Sequence, residues 1–162
     1  MGQGGNLTAT DRIRNVLRKK IKKYSAVKKL KVPLVILLYE GDWVHISRHD
    51  LEWALWGQLQ AIISPAHQEA RLSVDTGGLF MPGPNGEPQN TRLSAVVYCR
   101  RQWIDNVVHA TLFVYHHPSA RYPVSDDFFR PLPQCRLTIR EAEFDQYWQD
   151  GPEGEIQILP LP

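Results

Sequence analysis

The chain has 162 residues, of which 43% are hydrophobic and 22% charged, a length and composition typical of one soluble globular domain and not of a disordered chain. The net charge of +2 hides a strong asymmetry, because residues 1–31 carry ten Lys or Arg and one acid, whereas residues 32–162 carry nine Arg and sixteen acids. The longest apolar run, Val32–Tyr39, is too short to span a bilayer, so no membrane partner is predicted.

The N-terminal residues and the cysteines predict where the protein works. Residues 1–9 are expected to form a flexible lead without an apolar signal core, and Asn6 stands where a myristoylation pattern has Ser or Thr. The two cysteines, Cys99 and Cys135, lack C-x-x-C spacing, which argues against a zinc site and against a disulfide framework. These features predict a cytoplasmic protein.

A basic amphipathic helix is the first predicted element. The pattern Thr8-Ala-Thr-Asp11 matches a capping box and predicts a helix start near Thr10. All seven lysines of the chain lie between Lys19 and Lys31, mainly on faces away from an apolar stripe at helical spacing. The predicted stripe consists of Ile13, Val16, Leu17, Ile21, Tyr24 and Val27.

A strand and a second helix are predicted next. The run Val32–Tyr39 is nearly all apolar and predicts a strand buried on both faces, as in an α/β sheet. The capping-box pattern Ser47-Arg-His-Asp50 and the apolar spacing after it predict a helix that ends before Pro65. Residues 64–91 are rich in Pro and Gly and are predicted to form a long loop, with one short strand near Leu79–Met81.

The remaining elements complete a mixed sheet in the prediction. The runs Leu93–Cys99 and Val107–Tyr115 are predicted to be strands joined as a hairpin or meander. Residues 116–133 are expected to be extended and broken by proline, and Thr138-Ile-Arg-Glu141 predicts a third helix that ends near Trp148. The expected organisation is one α/β domain over residues 10–150 (an α+β arrangement is the alternative), with a mixed sheet and flanking helices. Residues 151–162 form a tail that fits an edge strand.

The lysine-rich segment carries the main functional prediction. Lys and Arg at this density neutralise phosphates and release counterions, with little sequence preference. Nucleic acid, with duplex DNA favoured, is therefore the predicted partner, and an acidic protein surface, on another chain or on the acidic remainder of this one, is the alternative. A solvated helix face without further function is the third interpretation. The predicted phosphate-binding residues are Arg18, Lys19, Lys20, Lys22, Lys23, Lys28, Lys29 and Lys31.

Histidines and acids give weaker candidates. His45 and His49 have a spacing that could hold a metal on a helix, but the capping box places His45 before the helix start. His116 and His117 lie at a predicted strand end, where sites often occur, although adjacent strand residues point to opposite faces. An unrecognised metal-dependent hydrolase that uses His116, His117 or the Asp126-Asp127 pair is a further alternative. No common catalytic or phosphate-loop motif is present, so neither a catalytic residue nor a metal ligand is predicted.

Five short motifs resemble the C-terminal half of a group of uncharacterised bacterial proteins with a restriction-endonuclease-like, PD-(D/E)XK-type fold. These motifs are Lys20-Ile-Lys-Lys-Tyr24, Val32-Pro-Leu-Val-Ile36, Ala54-Leu-Trp-Gly57, Arg92-Leu-Ser-Ala-Val96 and Val114-Tyr-His-His-Pro-Ser-Ala120. The likeness covers roughly residues 18–125 and departs from the pattern "Y-H-N-P-x-A" at His117.

The resemblance implies Mg²⁺-dependent phosphodiester cleavage, in which an Asp and a D/E-x-K triplet hold the metal. In such folds these residues precede the lysine-rich helix, and no D/E-x-K triplet occurs anywhere in this chain. The expectation is therefore a truncated or catalytically empty domain, or a subunit completed by another chain. It would bind nucleic acid without cutting it alone and without a cofactor, Mg²⁺ being needed only if the likeness extends to activity.

Overall fold

The computed structural model describes residues 8–25, 30–39, 46–64, 69–74, 77–104, 107–140, 143–149 and 156–157. Most of the predicted N-terminal lead, together with Val27, Lys28, Lys29, His45 and Glu141, lies outside the described residues. In chain order the elements are α1 (Ala9–Ser25), β1 (Leu34–Tyr39), α2 (Arg48–Trp56), β2 (Leu59–Ser64), β3 (Glu69–Val74), β4 (Leu93–Ile104), β5 (Val107–His116), a short 3-10 helix (Asp126–Phe129), β6 (Gln134–Arg140), β7 (Glu143–Gln149) and β8 (Ile156–Gln157).

The chain divides into two compact units. The first comprises residues 1–23 and 46–90, and therefore holds nearly all of α1 together with α2 and the β2–β3 hairpin. The second comprises residues 24–45 and 91–162, and holds a sheet in the order β1-β4-β5-β6-β7, with β8 pairing with β5. Parallel pairs (β1 with β4, β5 with β6) alternate with antiparallel pairs (β4 with β5, β6 with β7). The predicted α/β class with a mixed sheet is confirmed.

The predicted pairing of two strands as a hairpin is confirmed: β4 and β5 pair antiparallel in the middle of the sheet of the second unit. The register of this hairpin runs from Ala95 opposite His116 to Ile104 opposite Val107, so β4 is longer than the predicted strand. A buried cluster of small apolar side chains lies between this hairpin and the following loop, and it consists of Ala95, Val97, Val114 and Val124. The prediction that β1 is buried on both faces is wrong: Leu37 is 63% exposed and Tyr39 51%. Among the described strands, β1 lies at one end of the sheet order.

The second predicted helix is half as long as expected. Ser47 and Asp50 form the predicted capping box, but α2 ends at Trp56 and not near Pro65. Gly57 ends the helix with φ 84°, and its N–H donates to the Trp53 carbonyl at 2.9 Å; a positive φ of this kind favours glycine. The apolar residues that follow form β2, which pairs antiparallel with β3. The strand predicted near Leu79–Met81 is also absent, because these residues form a buried turn.

The prediction of a third helix is wrong as well. Residues that the Thr138 capping-box pattern assigned to a helix instead form the β6–β7 hairpin, whose register pairs Gln134 with Gln149. Apolar side chains alternate along β6 at Cys135, Leu137 and Ile139, which is the period of a strand. A four-residue capping pattern is a local signal, and the longer alternation outweighs it.

Candidate functional sites

The first candidate site is the exposed side of α1, which begins at a complete capping box. The Thr8 hydroxyl donates to Asp11 Oδ2 at 2.7 Å, and the Asp11 N–H donates to Thr8 Oγ1 at 3.2 Å. The bond from the Thr8 hydroxyl is the main cause of a lowered pKa at Asp11. The one acid of this helix is thus an N-terminal cap, where a negative charge also suits the helix dipole.

The apolar stripe of α1 is narrower than predicted. Its buried side chains are Thr10, Ile13, Leu17 and Ile21. Val16 and Tyr24, which the spacing assigned to the stripe, are 46% and 40% exposed. A helix turns by about 100° per residue, so these two side chains lie at the margins of the buried stripe.

Cations occupy much of the exposed surface of this helix. The predicted residues Arg18, Lys19, Lys20, Lys22 and Lys23 are all exposed. Lys19 and Lys23 each follow a stripe residue by two positions, which places them about 200° around the helix and opposite the buried face. The two are like-charged i, i+4 neighbours on the helix. This arrangement presents positive charge along the outermost line of α1.

Two arginines of α1, Arg12 and Arg14, differ in what surrounds their side chains. Arg12 is exposed and shares the outermost line with Lys19 and Lys23 at i, i+7 and i+11, a spacing that was visible in the sequence although Arg12 was not among the predicted residues. Arg14 instead donates from Nη2 to the Trp53 carbonyl at 2.9 Å. Its cation therefore lies at the C-terminal end of α2, where the helix dipole favours positive charge.

The remaining predicted cations are Lys28, Lys29 and Lys31. Lys31 is exposed and belongs to the second unit, whereas Lys28 and Lys29 lie outside the described residues. Within the described part of the chain, Lys19 and Lys20 make no hydrogen bond or ion pair with another side chain. Their charge is therefore available to an external anion.

The second candidate site is at the end of β5, around His116. This side chain is 5% exposed, and its Nε2 lies 2.8 Å from Gln134 Oε1. Gln134 Nε2 in turn donates to the Asp126 carbonyl at 3.5 Å, which orients the amide and makes Oε1 the atom that faces the imidazole. A neutral His116 therefore carries its proton on Nε2 and donates it to Gln134.

Charge around His116 comes from a salt bridge. Arg136 Nη2 donates to Asp126 Oδ1 at 2.5 Å and lies 3.4 Å from His116 Nε2. Burial is the largest cause of a lowered pKa at His116, and the Arg136 charge adds to the lowering; Gln134 and the Asp126 charge act in the opposite direction. The lowered pKa favours the neutral form of His116.

His117 follows β5 and closes a turn. Its Nδ1 accepts the Ser119 N–H at 3.0 Å, and its carbonyl accepts the Ala120 N–H at 3.2 Å. The backbone of His117 also donates to the Ser94 carbonyl at 3.0 Å, which ties the turn to the start of β4. The bond at Nδ1 fixes the proton of neutral His117 on Nε2.

Both histidines line one cavity of about 250 Å³. Its other lining residues are Pro118, Ala120, Pro123, Arg136 and Leu137. Adjacent strand residues point to opposite faces, yet both residues line this cavity, because β5 ends at His116 and the chain turns at His117. Asp126, which is exposed, contributes to this site through Arg136.

Other features of the described residues bear on the predicted sites. No described helix is both long and apolar enough to cross a membrane. Over the same residues no group of three or more His, Cys, Asp or Glu is placed to hold a metal ion. Comparison with protein-family models finds no matching family, and comparisons with curated proteins and with solved structures find no match either.

Proposed function

We propose that this chain is a cytoplasmic nucleic-acid-binding domain that contacts phosphates through the exposed side of α1 and does not cut nucleic acid on its own. The observation that carries the proposal is the line of cations opposite the buried stripe, formed by Arg12, Lys19 and Lys23. These three residues span about 16 Å at a helical rise of about 1.5 Å per residue. Several phosphates of one duplex lie within such a length.

The composition of this helix favours a polyanion over a solvated surface. Between Ala9 and Ser25 there are seven Lys or Arg and one acid, and that acid is used in the cap. A helix stabilised by its own ion pairs usually alternates acids and bases at i, i+4, which this segment does not. Contact with phosphates places negative charge beside the exposed cations of this helix and releases counterions. Duplex DNA is the favoured target, and the resemblance to restriction-endonuclease-like proteins points the same way.

The test is the salt dependence of binding to a labelled 25-base-pair duplex, followed by fluorescence anisotropy with Mg²⁺ present. The wild-type slope of log affinity against log salt should be about −0.9 for each phosphate neutralised. The double variant Lys19→Gln/Lys23→Gln should lose about two units of this slope, because each lysine removed abolishes about one phosphate contact. Glutamine keeps a high helix propensity, so α1 itself is retained.

A matched control removes two exposed arginines outside α1. Arg121→Gln/Arg130→Gln changes the net charge by the same amount, and should leave the slope within about 0.5 unit of wild type if α1 makes the contacts. An equal loss of slope in both double variants would mean that net charge alone drives binding. Absence of binding at low salt would exclude duplex DNA and leave an acidic protein as the partner of α1. Cleaved strands on a denaturing gel of the same samples would contradict the non-cutting proposal.

A further inference from the structure

The cavity beside His116 and His117 combines a cationic anchor with apolar walls. It holds about 250 Å³, several times the roughly 30 Å³ that one water molecule occupies. Two prolines, an alanine and a leucine form its walls. Leu137 and both histidines are buried, whereas the two prolines are exposed, so a group bound at the buried side is partly shielded from water, which strengthens a hydrogen bond to it.

Arg136 is held in a defined orientation at this cavity. Its side chain is 23% exposed, and the bond to Asp126 uses Nη2. Over the described part of the chain, no further hydrogen bond from its Nε or Nη1 is formed. A guanidinium has five N–H donors in a planar fork, so an ordered edge of it is available to a ligand.

Asp126 offsets the Arg136 charge only in part. The carboxylate side chain is 73% exposed, so water screens it, whereas the cation lies at the lining of a partly enclosed cavity. Both histidines are at most 5% exposed and line the same space. Either imidazole gains a positive charge when it binds a proton, which a bound anion would favour. The cavity is therefore suited to a compact negative group and not to a cation.

We propose that this cavity binds a small oxyanion of the phosphate class, with Arg136 as its anchor and the imidazoles of His116 and His117 beside it. A phosphate monoester carries about −1.5 to −2 charge at pH 7 and three acceptor oxygens. It can therefore bond the guanidinium edge and reach an imidazole at once, and it gains more from Arg136 than a monoanionic carboxylate does. This site is independent of DNA contact by α1, and it would remain if that proposal failed.

The test is a titration of the wild-type protein with sodium phosphate, followed by the histidine ring signals in NMR spectra at constant ionic strength. The variants His116→Gln and His117→Asn assign the two relevant signals among the six histidines. We expect saturating shifts at these two signals, and a rise of the His116 pKa when phosphate binds. Sodium acetate should bind at least about fivefold more weakly, because it carries a single charge.

Two variants of the salt bridge should change phosphate affinity in opposite directions. Arg136→Gln should weaken binding about tenfold or more, since it removes a charge-assisted hydrogen bond. Asp126→Asn should strengthen binding severalfold, because it removes the competing carboxylate from the guanidinium. A gain of affinity cannot arise from misfolding, so Asp126→Asn remains informative even if Arg136→Gln does not fold. The exposed Arg130→Gln serves as the matched control and should bind like wild type.

The source of the phosphate is separated by a second pair of ligands. A short 5′-phosphorylated oligonucleotide that shifts the two histidine signals, when its 5′-hydroxyl form does not, would assign the site to a nucleic-acid end. If inorganic phosphate shifts the two histidine signals as much as the phosphorylated oligonucleotide does, the site is assigned to a free phosphate or a small phosphomonoester. The proposal is overturned if neither wild type nor Asp126→Asn shows a saturating shift, if acetate binds as tightly, or if all six histidine signals shift alike.

Discussion

His117 forms a bond in its turn that an asparagine side chain could form equally well. Its Nδ1 accepts the Ser119 N–H at 3.0 Å, and the Oδ1 of Asn accepts a backbone N–H two residues ahead in an Asx turn. Pro118 stands between them, where its fixed φ suits the second position of a turn. The departure of His117 from the pattern "Y-H-N-P-x-A" therefore preserves the local geometry of the turn.

Substitution of His117 should separate its role in the turn from its bulk. His117→Ala should lower the free energy of unfolding by about 1–3 kcal/mol, because a buried ring and the acceptor for Ser119 are both lost. His117→Asn keeps an acceptor and should cost about 1 kcal/mol less than the alanine variant. Urea denaturation at pH 8 measures both values. Equal destabilisation would show that the bond to Ser119 contributes no stability.

His116 should make stability depend on pH in a defined direction. Its pKa in the folded protein is below the ordinary value of 6.5, chiefly because it is buried, so the unfolded chain binds more protons at mildly acidic pH. Its contribution is complete above about pH 6.5 and is lost as pH falls through that value towards the folded pKa. The groups that face it are Gln134, Arg136, Asp126 and the ring of Phe129.

The comparison variant is His116→Gln, which cannot bind this proton. It should be less stable than wild type at pH 8, and the difference should narrow as pH falls to 5, because only the wild type loses stability through position 116. Urea denaturation of both proteins across this range measures the difference, in which all other histidines cancel. A difference that stays constant with pH would contradict the lowered pKa of His116.

At the scale of an element, the C-terminal end of α2 explains why the sequence predicted this helix too long. The turn at residues 78–81 supplies N–H groups to the last carbonyls of α2: Leu79 donates to Ala54 at 3.0 Å and Phe80 to Leu55 at 2.7 Å. These are partners more than twenty positions away, and a helical window does not include them. The apolar spacing fitted a longer helix, whereas the actual end depends on tertiary bonds and on Gly57.

Gly78 allows this close approach. A Cβ built on Gly78 would lie 2.4 Å from Gly57 N and 2.4 Å from the Trp56 carbonyl carbon, distances at which backbone atoms must move. Gly78→Ala should therefore lower the free energy of unfolding by about 3 kcal/mol. Gly86→Ala is the matched control: its Cβ would meet open space, so only its φ of +79° costs energy, about 1–2 kcal/mol. Chemical denaturation distinguishes them, and equal costs would show that the 78–81 turn yields easily.

Sequence patterns identified the elements whose signals are local. The capping boxes at Thr8 and Ser47 both form, and the β4–β5 hairpin pairs as predicted. Patterns failed where two local signals competed, as in β6, where a capping pattern overlapped a strand alternation. They also did not predict that Arg136 lies next to His116. This proximity arises because β5 and β6 pair in parallel at Val114 and Tyr115, and no spacing along the chain indicates that pairing. The cavity that we propose binds phosphate could for this reason not be predicted from the sequence, although both of its histidines were predicted as candidate site residues.

At the scale of the whole molecule, charge is separated along the chain rather than mixed. Residues 1–31 have an excess of nine positive charges, and the remainder has an excess of seven negative charges. Two explanations of stability follow from this distribution. In the first, the acidic residues after position 31 neutralise the cations of residues 1–31 within the folded protein. In the second, the cations of α1 repel one another until an external anion binds. The exposed, unbonded side chains of Lys19 and Lys20 favour the second explanation.

Salt decides between the two explanations without any ligand. Screening removes whichever interaction dominates, so an increase of NaCl from low to moderate concentration should stabilise the wild type if α1 repels itself. Each like-charged i, i+4 pair costs about 0.2–0.5 kcal/mol at low salt, so the expected gain is about 1 kcal/mol. Lys19→Gln/Lys23→Gln should be more stable than wild type at low salt and should respond less to NaCl, as followed by urea denaturation. Destabilisation of the wild type by salt would instead show that acidic side chains of this chain already pair with the cations of residues 1–31. DNA would then have to displace those acidic side chains.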